Sequence, residues 1–157
     1  MKKLKITLIL VLLVVTSSCG FKPMNLAGNK TVNFKNINIS GDKKISYNLR
    51  NNILLISSND SKNVRDLDIK LQKKKNSKIK DKAGKITRYN LSISAILKLT
   101  NLKDSSVIEK TFSQNEDFYV SANHIDTITN EKNAVKNIID QLSMDIVNFI
   151  TLRMRNR

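Results

Sequence analysis

The sequence holds one cysteine, one proline, four glycines, one histidine and no tryptophan in 157 residues. A lone cysteine, Cys19, cannot close an internal disulfide, which excludes a stapled secreted scaffold. So few glycines leave no glycine-rich phosphate loop. His124 stands in a polar segment with no cysteine or carboxylate pair at metal-ligand spacing. It reads as a solvated loop residue, and no metal or cofactor is expected. Asp66 and Asp68 alternate on a strand-like run, and Glu116 adjoins Asp117 in what reads as a loop. Neither pair has the surroundings of an acid and base couple, so no catalytic residue and no enzymatic activity are expected.

Long apolar runs are missing as well. The stretch from Ile6 to Val15 is short of the roughly 20 residues that a membrane-spanning helix needs. Lys2, Lys3 and Lys5 precede it and the small residues Thr16, Ser17 and Ser18 follow, which is the layout of an export signal over residues 1–18. Cys19 then falls where a lipoprotein signal places the residue that receives lipid, although Thr16 occupies a position that usually carries Leu, Val or Ile. Each buried methylene of an acyl chain contributes about 0.8 kcal/mol, so more than one chain is needed for durable anchoring. Gly20 follows the cysteine, and by likeness to Gram-negative lipoproteins the absence of Asp there implies sorting to the outer membrane.

Acidic residues are scarce, 13 against 28 basic ones, and the formal charge is +15. Removing Lys2, Lys3 and Lys5 with the signal leaves a strongly basic chain that favours anionic partners such as phospholipid or another phosphorylated surface. Export argues against nucleic acid. The excess of lysine over arginine, together with abundant Asn and Ile, is also what an AT-rich coding genome produces without selection for binding.

Residues 19–30, with Pro23 and Gly28, read as a tether, and residues 31–157 as a single domain. Val32, Phe34, Ile37 and Ile39 mark a strand whose alternation slips between Phe34 and Ile37, as a bulge requires. Ser40, Gly41 and Asp42 offer a cap for a helix over about 43–57, in which Ile45, Leu49, Ile53 and Ile56 form one stripe. Leu67, Ile69 and Leu71 alternate with polar residues as a second strand, followed by a basic stretch over 73–85 with Gly84 at the turn. Tyr89, Leu91, Ile93, Ala95, Leu97 and Leu99 make the clearest strand; Asn90, Ser92, Ser94 and Lys98 face the other way, with Ile96 an exception. Residues 107–113 read as a further antiparallel strand, which Phe118, Tyr119 and Val120 either extend or leave. A long amphipathic helix over about 131–155 follows, with Asn130 as its expected cap and Arg153, Arg155 and Arg157 suited to its C-terminal dipole. The fold class is therefore α+β: a two-layer sandwich with both helices on one face of a mostly antiparallel four-stranded sheet, in the order βαβββα.

One charged feature has a specific shape. Lys73, Lys74, Lys75, Lys78, Lys80, Lys82, Lys85 and Arg88 fall within one strand-turn-strand unit, opposed only by Asp81. Gathered at a hairpin tip, ammonium groups attract phosphates as point charges.

The opening Cys19-Gly20-Phe21-Lys22-Pro23-Met24 is similar to the Cys-Gly-Phe-x-Pro-Leu/Met openings of alphaproteobacterial members of the LptE family, and the element order with its long last helix resembles that family across nearly the whole exported chain. The resemblance implies a non-enzymatic lipoprotein on the periplasmic side of the outer membrane, anchored there by its N-terminal lipid. It would plug and help assemble the barrel protein LptD and contact lipopolysaccharide. It also implies a basic residue two places before the hairpin glycine and a tyrosine five places after it, here Lys82, Gly84 and Tyr89, and a second basic position near the start of the last helix, for which Lys132 is the counterpart. The expected lipopolysaccharide contacts are thus Lys78, Lys80, Lys82, Lys85, Arg88 and Lys132. The alternative is an envelope ligand-carrying or transporter-auxiliary lipoprotein, which needs an enclosed apolar pocket between helices and sheet.

Overall fold

The computed structural model describes residues 32–155. The export signal, Cys19, the tether and Arg157 lie outside the described residues. The elements are β1 (Asn33–Ser40), α1 (Lys43–Leu54), β2 (Val64–Lys80), β3 (Ile86–Asn101), β4 (Val107–Tyr119) and α2 (His124–Arg155). They form one four-stranded sheet in the order β1-β2-β3-β4; β1 runs parallel to β2, and the other pairs are antiparallel.

The strands follow period two. Leu91, Ile93, Ala95, Leu97 and Leu99 of β3 are fully buried, and across from them stand Leu71, Ile69 and Leu67 of β2. Both helices bury their stripes against this face: Ile45, Leu49 and Ile53 from α1, and Ala134, Ile138, Leu142, Ile146 and Ile150 from α2, join one core with the strand residues. The βαβββα sandwich read from the periodicities is the observed one. The expected bulge in β1 falls between Phe34 and Asn36.

Gly41 makes the turn from β1 into α1, at φ +127°. A Cβ there would meet the Leu71 carbonyl oxygen at 2.8 Å and the Leu71 Cβ at 2.9 Å, so the chain passes tight over β2. Asp42 then caps α1 by accepting from the Lys44 and Ile45 amides. Arg50 Nη1 donates to the Ile37 carbonyl, and Asn52 Nδ2 to Ser143 Oγ, which ties α1 to β1 and α2. Both helices start toward the β2–β3 turn and run back toward the opposite end, which we call the base, where Val32 bridges to Ser57.

Four boundaries depart from the sequence reading. α1 ends at Leu54 rather than 57, because Ile56 and Ser57 bond back into 3-residue turns. β2 continues through the lysines to Lys80, since its whole length has β3 as a partner. β4 continues to Tyr119, so Glu116 and Asp117 stand on a strand, not a loop. α2 starts at His124: Asn123 Oδ1 accepts from the Ile125 amide and caps it, whereas Asn130 lies inside the helix and donates to the Tyr119 carbonyl and to Ser121. His124 is accordingly an exposed helix residue instead of a loop residue.

Candidate functional site

Apart from Lys74, which stands opposite Ser92 on the outer face, the β2–β3 hairpin carries these basic residues in three groups, separated by strand geometry. Lys73 and Lys75 stand opposite Ile93 and Leu91, and so face the helix layer. There Glu131 of α2 takes both, at 3.2 Å from Lys73 Nζ and 2.6 Å from Lys75 Nζ. Lys75 also lies 4.5 Å from the centre of the Tyr89 ring and 5.0 Å from that of Phe118, and these two rings stack at 5.5 Å. The hydrogen bond from Lys75 pulls the Glu131 pKa below its ordinary value, against the opposing effect of burial and with further help from Lys73.

The second group sits on the outer face. The β2–β3 register shifts between Ser77 and Ile79, and Lys78, the residue inside the shift, swings its ammonium to Asp117 Oδ2 at 2.5 Å. Asn90 Nδ2 donates to the other oxygen of Asp117 at 2.8 Å, and Arg88 Nη1 stands 3.9 Å from Oδ2. Arg88 also donates to the Tyr119 hydroxyl and lies over its ring. The hydrogen bond from Lys78, then that from Asn90, holds the Asp117 carboxyl below its ordinary pKa. Lys78 and Arg88 therefore share one carboxylate, which leaves the cluster with one net positive charge.

The third group is the tip. Asp81 Oδ1 accepts from the Ala83 and Lys85 amides, and Gly84, at φ +81°, bonds to the Asp81 carbonyl. The one acid of the turn is thus engaged by backbone. Lys80, Lys82 and Lys85 are exposed around it and have no acidic partner among the described residues. The structure brings these three together, places Lys78 and Arg88 behind them in the Asp117 cluster, and puts Lys132 elsewhere, at the groove between α1 and α2.

The outer face of the sheet is a second feature. Its middle rows read Gln72, Ser94 and Ser113, then Lys74, Ser92 and Asn115, across β2, β3 and β4. Toward the base the rows become charged, with Asp68, Lys98 and Glu109 side by side, and Asn36 and Asn38 donating to Asp66 and Asp68. A nearly uncharged polar band thus lies between two charged ends.

Sequence reasoning missed Asp117 and Glu131 as the partners that sort the hairpin cations. Period two alone places Lys73 and Lys75 on the face of Leu71, and that was the available signal.

Residues 30–150 match the model of the family described as LptE, lipopolysaccharide-assembly. Among solved structures, the fold is similar to the crystal structure of rare lipoprotein B from Shewanella oneidensis, at 13% identity and a TM-score of 0.61, over 77% of this chain and 97% of that one. A putative lipoprotein from Caulobacter crescentus CB15 is similar at 10% identity and a TM-score of 0.56, over 84% and 96%. The solution structure of an uncharacterized lipoprotein B from Nitrosomonas europaea is similar at 15% identity and a TM-score of 0.51, over 84% and 90%. No curated protein matches the chain in sequence.

Proposed function

Because the chain belongs to the LptE family of lipopolysaccharide-assembly proteins, we propose that it is a lipoprotein plug of the outer-membrane barrel LptD, anchored through Cys19 on the periplasmic side. It helps the barrel assemble and meets lipopolysaccharide at the hairpin tip. The role is structural and non-enzymatic.

The carrying observation is the trio Lys80, Lys82 and Lys85, left without acidic partners on a turn whose own carboxylate is engaged by backbone. Compact ammonium groups in that state attract the phosphates of lipid A as point charges. Lys78 and Arg88 share Asp117 behind the tip, and the positive charge left there adds to its pull on phosphate. Lys132 belongs to another part of the surface.

Dimensions and polarity support the same reading. A 17-residue β2 is about 50 Å long, against about 40–45 Å for a bilayer with its headgroups. Val32 and Gly84 stand at opposite ends of that length, so the tip is the end of the domain away from the first described residue. The band of Gln72, Ser92, Ser94, Ser113 and Asn115 suits the polar lumen of a barrel. The alternative of a ligand carrier is disfavoured by a filled layer interface, where Leu49, Leu97, Ile138 and Leu142 are fully buried.

Two measurements test the proposal. Gentle extraction of outer membranes should recover the protein with LptD at one copy each, and recovery alone counts against the plug. The triple variant Lys80→Glu, Lys82→Glu, Lys85→Glu should weaken binding of purified lipopolysaccharide in a salt-dependent way, while Lys132→Glu leaves it unchanged. Equal binding by the triple variant and the parent removes the tip from the role.

A further inference from the structure

β1 covers only the first part of β2. Its pairing ends with Ser40 opposite Lys70, the chain turns away at Gly41, and β2 continues from Leu71 to Lys80 bonded to β3 alone. Residues 72–80 are all exposed. Alternate backbone groups of this segment face outward, as on any edge strand. Unpaired lysines ordinarily guard such an edge against foreign strands. Here the guard is reduced between residues 71 and 78: Lys73 and Lys75 share Glu131, and Lys78 is bound by Asp117. Between Lys73 and Lys78 only Lys74 lacks an acidic partner among the described residues.

A second observation meets the first at Lys73. α1 has 12 residues and α2 has 32, so α2 overhangs α1 toward the hairpin tip. An open groove of about 800 Å³ lies between them, with Lys73 on its floor and Ile45, Ile128, Val135 and Ile139 among its walls. Ile128 is 40% exposed, and Ile125, nearly one turn earlier on the overhang, is 70% exposed. Lys44 and Lys132 border the groove without acidic partners among the described residues.

We infer that the open edge of β2 and this groove together receive one extended segment of a partner polypeptide, added as a strand in line with β1. Backbone bonds to residues 71–80 hold it, and the period of two sends alternate side chains into the groove. Apolar side chains at those positions meet Ile128 and Val135, and carboxylates at the alternate, outward positions meet Lys74 on the other face of the sheet. This docking is separate from phosphate contact at Lys80, Lys82 and Lys85, and stands or falls without it.

The test uses the full lipoprotein in detergent, a ten-residue peptide alternating valine with glutamate, and a control peptide of equal length and charge with proline in place of valine. The alternating peptide should slow exchange of the outward-facing amides within residues 71–80 by about tenfold or more, and the proline peptide should not. Lys74→Glu should weaken its binding about tenfold, while Lys82→Glu leaves it unchanged. Equal protection by both peptides would reduce the effect to charge and overturn the inference. So would an affinity indifferent to Lys74→Glu, or strong protection of the outward-facing amides before any peptide is added, because the edge would then already be filled.

Discussion

Glu131 Oε2 accepts a 2.6 Å bond from Lys75 Nζ, and that contact fastens the start of α2 to the half of β2 that β1 leaves uncovered. The same carboxylate holds Lys73, so two adjacent same-face positions of the strand converge on one side chain of the helix.

The Glu131 pKa lies below its ordinary 4.5 in the folded protein, so between the two values the unfolded chain binds more protons. The contribution of this cluster is therefore complete above about pH 4.5 and is lost as pH falls through the lower, folded value. Glu131→Gln should cost about 0.5–1 kcal/mol at pH 7, a magnitude reduced by solvent around the lysines. Urea denaturation should find the gap shrinking toward pH 3; an equal gap at both pH values would count against this linkage.

Gly41→Ala should destabilise the fold by roughly 1–3 kcal/mol, because the added carbon meets the Leu71 backbone and the φ is unfavourable for it. Gly84→Ala should cost about 1 kcal/mol, since its φ is also positive but nothing lies within 4 Å. Thermal melts of the two variants should keep that order.

Leu97→Ala, at the fully buried centre of β3, should cost about 2–5 kcal/mol, whereas Ser94→Ala on the outer face should stay within about 0.5 kcal/mol. Chemical denaturation midpoints decide this. A large loss at Ser94 would mean that the outer band is part of the folding core.

Asn123→Ala removes the cap of α2 and should cost about 0.5–2 kcal/mol. Exchange measurements should place the faster amides at residues 125–129, ahead of the Glu131 contact. Asn130→Ala should instead loosen the junction of β4 with α2, where its side chain bonds Tyr119 and Ser121.

Much of this architecture was legible because burial is strictly periodic: β3 alternates, α1 and α2 carry single stripes, and the slip at Phe34 to Ile37 signals its bulge. The outer half of β2 was not, since lysines have weak strand preference and only pairing with β3 extends them. The first turns of α2 were hidden because Ile125 and Ile128 are exposed and add little to a buried stripe. The tip lysines could be read from their spacing around Gly84. The contacts of Lys78 and Arg88 with Asp117 could not, because they depend on a register shift and on strand β4 lying beside them.

The shared heading of the two helices gives the molecule an electrical direction. Each N-terminus carries about half a positive charge, and both point along the sheet the same way as the lysine-bearing turn. A body polarised along its long axis in this manner experiences a torque in any field that lies at an angle to that axis, and turns until the two align. Under the proposed role as a barrel plug, entry into a charged channel would have a preferred leading end before a single side chain touched the wall.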